Sequence, residues 1–232
     1  MVYFLAINYK ILFNFQKIVD AMTFKKTLAI SIAAIFALGL LAFPLGLAGA
    51  VSDYLGINAS KSKINFGPTE LDKSVIATFG NIPRGGQGGA FGYGVLTSGG
   101  DSIIVTTTHS GVLDSALQKG DINSPVWHNH YVKLGNDPSC IDSVTNPSGL
   151  SVADISYESP GKVDVDGKKA ELKDIPTGSQ SEHFGLAPNA VHTFNVGTTG
   201  NTLVSFTLSI VGSGPYGPGA VCVNNVSPVT LP

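Results

Sequence analysis

The order of apolar and polar positions divides the chain at about residue 50. Before it, apolar residues run without a period. From Met22 the chain reads Met-Thr-Phe-Lys-Lys, then an uncharged apolar run from Leu28 to Leu47, then Ala48-Gly49-Ala50. A basic start, a hydrophobic centre and a small-residue exit make up a secretory signal, with cleavage expected after Ala50. Residues 1–21 then form an upstream extension. If uncleaved, Leu28–Leu47 is long enough to remain as a membrane anchor. In either case the rest of the chain, 51–232, is expected outside the cytoplasm as a single secreted domain.

Beyond residue 50 the period becomes two, which is the spacing of strands. Asp101–His109 alternates most clearly. Ile103, Val105, Thr107 and His109 share one face, and Ser102, Ile104, Thr106 and Thr108 the other. Val126–Leu134 puts Val126, His128, His130, Val132 and Leu134 on one face and Trp127, Asn129, Tyr131 and Lys133 on the other. Ser74–Phe79, Phe91–Leu96, Leu150–Tyr157, Ala190–Val196, Asn201–Gly212 and Ala220–Asn224 also read as strands, with a bulge expected at Ala153-Asp154. Lys162–Leu172 reads as a hairpin turning at Asp166-Gly167 in type I′ geometry. Residues 51–72 read as a polar lead-in, and Ile175–Asn189 as a long polar loop. Only Val112–Lys119 shows helical spacing, through Val112, Leu113, Ala116 and Leu117. About ten short strands and at most one short helix predict an all-β fold, an antiparallel β-sandwich or jelly-roll-like barrel.

Charge narrows the class of partner. Residues 1–50 hold four of the fourteen basic residues and one of the sixteen acidic ones, leaving ten against fifteen, a net charge of −5 for 51–232. A mildly acidic domain whose one arginine is Arg84 suits neither nucleic acid nor an anionic membrane. A cell-surface protein or glycan is the expected kind of partner. Asn58-Ala59-Ser60 and Asn225-Val226-Ser227 are glycosylation sequons. Cys140 and Cys222 are the two cysteines, and in an exported chain they are expected to form one disulfide.

Gly80–Gly100 holds nine glycines. It lacks both the Gly-Lys-Ser/Thr ending and the spaced triple glycine of phosphate loops, so no nucleotide cofactor is expected. It reads as a loop and a strand whose backbone packs close to a neighbour. Asp164-Val165-Asp166-Gly167 lacks the downstream Glu of a calcium loop.

The candidate chemistry lies in five histidines, all beyond residue 50: His109, His128, His130, His183 and His192. His128-Asn129-His130 on one strand face sets two imidazoles side by side, a spacing that lets them share one metal ion. His192 or His109, each on the apolar face of its own strand, would complete the set. Glu182 or His183 would supply a further ligand or a base. Zn²⁺ or Cu²⁺ is the expected ion. Cupins place a Glu a few residues after a His-x-His; Tyr131–Gly135 supplies none. Blue-copper centres need a Cys with a nearby His and Met, and neither cysteine has them. Two functions follow: a secreted metal-binding β protein, or a non-catalytic surface module that makes contacts through its loops.

Overall fold

The computed structural model describes residues 52–85, 87–118, 120–183, 191–214 and 217–232. The expected signal segment lies outside them. Twelve strands occur among the described residues: β1 (Lys63–Phe66), β2 (Glu70–Ala77), β3 (Phe91–Ser98), β4 (Ile103–Thr108), β5 (His128–Asn136), β6 (Leu150–Ile155), β7 (Lys162–Asp166), β8 (Lys169–Pro176), β9 (Gly178–His183), β10 (Val191–Val196), β11 (Thr199–Gly214) and β12 (Gly217–Thr230). No helix among them is long and apolar enough to cross a membrane.

Four expectations change. The 51–72 lead-in contains β1 and the start of β2, and the loop expected over 175–189 contains β9. Gly-Ser-Gln-Ser-Glu-His has no apolar period; it is a strand because its backbone pairs with β10 from Gly178↔Val196 to His183↔Val191. The helix expected over 112–119 is not formed, and the segment carries one 3-10 turn, Ala116–Gln118. An eight-residue helix between Gly111 and Gly120 is shorter than helices that hold in water on their own. The β7–β8 turn is centred on Gly167 and Lys168, since Asp166 pairs with Lys169. Only Gly167 has a positive φ there, so the turn is not type I′.

β3 to β6 run as a meander, and the β11–β12 hairpin returns to close it, giving a barrel in the order β11-β12-β6-β5-β4-β3. That order is not the double Greek key of a jelly roll. The barrel interior takes one side of each strand: Val105, Val132, Val204, Phe206 and Val223 are buried there, with Leu134, Val152 and Leu208 packed on them. β3 supplies Gly92 opposite Phe206 and Gly94 opposite Val204. A Cβ at Gly92 would lie 2.8 Å from the Phe206 ring and would also strike the Thr106 carbonyl. The missing side chain is what lets Phe206 fill the interior. The expected bulge sits at Ala153, which the β5–β6 register skips between Lys133↔Asp154 and Leu134↔Val152.

The other side of β3, β4, β5 and β11 is covered by a four-stranded sheet, β1-β2-β8-β7. Leu71, Ile76, Leu172 and Ile175 of that sheet join Phe91, Tyr93, Val95, Ile104, Tyr131 and Leu203 in one core, together with Phe194 and Val196 of β10. Trp127 stacks on Tyr93 at 6.1 Å between ring centroids, and Tyr131 donates its hydroxyl to the Pro176 carbonyl. These aromatics belong to the core.

The barrel has one thin seam. β12 meets β6 at the single registered pair Cys222↔Ser151. There Cys222 is bonded to Cys140, the last residue of the 3-10 turn after β5, so the disulfide crosses where the ladder is shortest. It spans 82 positions, for which chain entropy alone gives about 4.5 kcal/mol, with measured values often lower.

Two outcomes are expected. Cys140→Ala/Cys222→Ala should lower the free energy of urea unfolding by about 2–4 kcal/mol; a loss under about 1 kcal/mol would mean that the seam holds without the bond. Gly92→Ala should cost about 1–3 kcal/mol by overpacking against Phe206, read in the same titration.

Candidate metal centre

His128 and His130 begin β5, where they pair with Thr107 and Val105 of β4. Paired residues of an antiparallel ladder share a side. Val105 is an interior residue, so both imidazoles point into the barrel. His109 follows β4 directly and continues the side of Val105 and Thr107. Three histidines therefore gather at the end of the barrel where β4 leaves and β5 enters. The connecting segment, 109–127, is almost without regular structure, and it carries Asp114 in among them.

Asp114 Oδ2 lies 3.0 Å from His109 Nε2 and 3.7 Å from His130 Nε2, and Oδ1 lies 3.3 Å from His128 Nε2. His128 and His130 have no exposed surface, and His109 retains 6 %. The rings of neighbouring histidines stand nearly perpendicular, with centroids 5.0 Å apart for His109–His128 and 4.7 Å apart for His128–His130.

The hydrogen bonds fix where the protons are. His128 Nδ1 meets the Val126 carbonyl at 2.8 Å, and His130 Nδ1 meets the Ser156 carbonyl at 2.7 Å. A carbonyl only accepts, so each Nδ1 carries the hydrogen. In a neutral ring the opposite nitrogen, Nε2, is then a lone pair, and both Nε2 atoms face Asp114. Both are buried without a hydrogen-bond partner, as are Asp114 Oδ1 and His109 Nδ1. Lone pairs set against a carboxylate inside an apolar barrel repel unless positive charge lies between them. That charge is either a proton, making an imidazolium, or a metal cation. Imidazoles fixed through Nδ1–H to backbone carbonyls are the usual presentation of metal ligands.

Electrostatics favour the ligand forms. Burial alone would raise the Asp114 carboxyl, but the hydrogen bond from His109 Nε2–H and the proximity of the His128 and His130 rings outweigh it and hold the group below the usual carboxylate range. His130 is pushed down to about 4, chiefly by burial, with Asp114 opposing and His128 reinforcing the shift. At neutral pH the site thus presents an anionic carboxylate and a neutral His130.

His109, Asp114 and His128 form a set whose ligand atoms all lie within 4.8 Å of one another and can hold a metal ion. An ion at about 2.0 Å from tetrahedral ligands sets them about 3.3 Å apart. The 3.0 and 3.3 Å separations of Asp114 from His109 and His128 lie just under and at that length.

The other expected site residues are placed elsewhere. His192 bonds Asp154 through Nδ1 at 2.6 Å. Its strand pairs with β9 in a separate two-stranded sheet, so its face is not the barrel interior. The Glu182 carboxylate accepts the backbone N–H groups of Tyr157 and Glu158, which occupies it as an anchor. His183 ends β9, and its side chain is outside the described residues. Asp114 was not legible as a ligand. Its one sequence cue, a carboxylate five residues after a strand-end histidine, was masked by the helical spacing around it.

Metal-free protein should lose stability as pH falls. His130 has a lower pKa folded than unfolded, so between pH 6.5 and about 4 the unfolded chain takes up the proton first. Its contribution is complete above pH 6.5 and lost through pH 4. Urea titrations of chelator-treated protein across this range should show a decline that is reduced in His130→Gln; an equal decline in both would exclude this origin.

No family model, no curated protein and no solved structure matches this chain.

Proposed function

We propose that the protein is an exported β-barrel domain, residues 51–232, that binds one transition-metal ion, Zn²⁺ or Cu²⁺, through His109, Asp114 and His128. One observation carries the reading: the buried His128 ring, fixed by its Nδ1–H bond to the Val126 carbonyl, turns Nε2 to the Asp114 carboxylate beside His109, with the ligand atoms of all three residues within 4.8 Å of one another. Nitrogen and oxygen donors without thiolate suit both ions. Export is supported by residues 1–50, which read as a signal, and by the Cys140–Cys222 disulfide, a bond that persists in oxidising compartments. Glu182, the base suggested by the sequence, stands apart from the cluster and is engaged by backbone amides.

A second reading, a surface interaction module, has one observation of its own. Thr193–Pro232 contains no charged residue, and Ile210 and Val211 are exposed on β11. Such a surface suits contact with a cell-surface protein or glycan.

Elemental analysis of the purified protein separates the two. Close to one equivalent of zinc or copper is expected, with loss of the metal in His128→Ala/His130→Ala. Saturating metal at about 100 times its Kd should stabilise the wild type by about 2.7 kcal/mol and leave the double variant unchanged. Absence of bound metal after reconstitution of folded protein would sink the metal reading.

A further inference from the structure

We propose that His130 is the fourth ligand, so that three nitrogens and one oxygen close a tetrahedral shell and the ion serves as a structural latch with no open coordination position. This rests on the metal reading above. Four ligands filling a tetrahedron is the pattern of structural zinc sites; catalytic ones keep a position for water.

The His130 ring has no other task in the barrel. Its Nε2 is buried without a hydrogen-bond partner and faces Asp114. Its Nδ1–H is held by the Ser156 carbonyl, and the Ser156 hydroxyl in turn accepts the backbone N–H of Tyr131. The ring is thus fixed from behind and directed at the cluster. Its 3.7 Å separation from Asp114 Oδ2 exceeds a tetrahedral edge of about 3.3 Å by a few tenths of an ångström. His130 stands outside the set of His109, Asp114 and His128, whose ligand atoms lie within 4.8 Å of one another, so closing the shell also requires it to approach the other ligands of that set.

The four residues differ in how firmly their backbone is held. The two β5 histidines are held in the ladder with β4, and His109 follows β4 directly. Asp114 stands on the irregular 109–127 segment. Its neighbourhood is tied down by a few backbone bonds, Gly111 to Ile122 and Ala116 to Tyr157 among them. An ion shared by all four residues draws Asp114 inward and fastens this segment across the end of the barrel.

Cobalt(II) loaded into the purified protein tests the shell directly. Tetrahedral cobalt(II) absorbs far more strongly in the visible region than five- or six-coordinate cobalt(II). The wild type should show the intense bands, unchanged by azide. His130→Ala should lose intensity severalfold and respond to azide, which enters the vacated position. Limited proteolysis should show the 109–127 segment protected by Zn²⁺ in the wild type and less so in the variant. Weak bands that shift with azide in the wild type would overturn the closed shell while leaving the metal reading intact, and this holds even if His130→Ala fails to fold. Wild type that takes up no cobalt would overturn both.

Discussion

Pairing of β11 with β3 on one side and β12 on the other closes six strands on themselves, and the site depends on that closure. A closed ladder leaves no edge, and it gives each strand one side that water does not reach. Val105, Val132, Val204, Phe206 and Val223 make that side apolar. The three histidines lie on the same side by strict alternation, so the pairing that buries valines also buries imidazoles. An imidazole nitrogen there must find a partner within the protein or on an ion.

Two of the six nitrogens find backbone carbonyls, and this determines the rest. Once Nδ1 of His128 and of His130 donates to Val126 and Ser156, the Nε2 atoms have only a lone pair to offer. Asp114 brings a negative charge to the same point. Desolvating a carboxylate costs several kcal/mol; His109 Nε2–H repays part of it at 3.0 Å from Asp114 Oδ2, and the lone pairs of His128 and His130 repay none. Protonation would repay it in part, at the expense of an imidazolium buried beside two other rings. A divalent cation satisfies the carboxylate and the lone pairs together, without requiring any ring to leave its backbone partner.

Strand alternation made much of this legible. It put His109, His128 and His130 on the same faces as the interior valines. What alternation cannot tell is which sheet a face belongs to. His192, Phe194 and Val196 share a face in sequence, and Phe194 and Val196 are buried. Their strand pairs with β9, outside the barrel, so His192 meets Asp154 and is absent from the cluster. Asp114 was hidden for a different reason. Its segment is held by scattered long-range hydrogen bonds that leave no periodic trace, while Val112, Leu113, Ala116 and Leu117 imitate a helix too short to form. β9 was hidden because pairing of backbone with backbone, not burial of side chains, makes it a strand.

The division of labour between cysteine and histidine follows from the same architecture. β5 starts with the metal cluster and leads, past Asn136, into the turn that ends at Cys140. The disulfide and the histidine cluster therefore sit towards opposite ends of one strand, roughly 20–30 Å apart at about 3.4 Å per residue. Both thiols are consumed in closing the thin β6–β12 seam. The cluster is left with nitrogen and oxygen donors, which do not share the oxidation chemistry of a thiolate. In an oxidising compartment a thiolate site and a disulfide would compete for the same sulfurs. A set built from imidazole and carboxylate does not enter that competition, so an ion held by the cluster would leave the disulfide at the other end of the strand undisturbed.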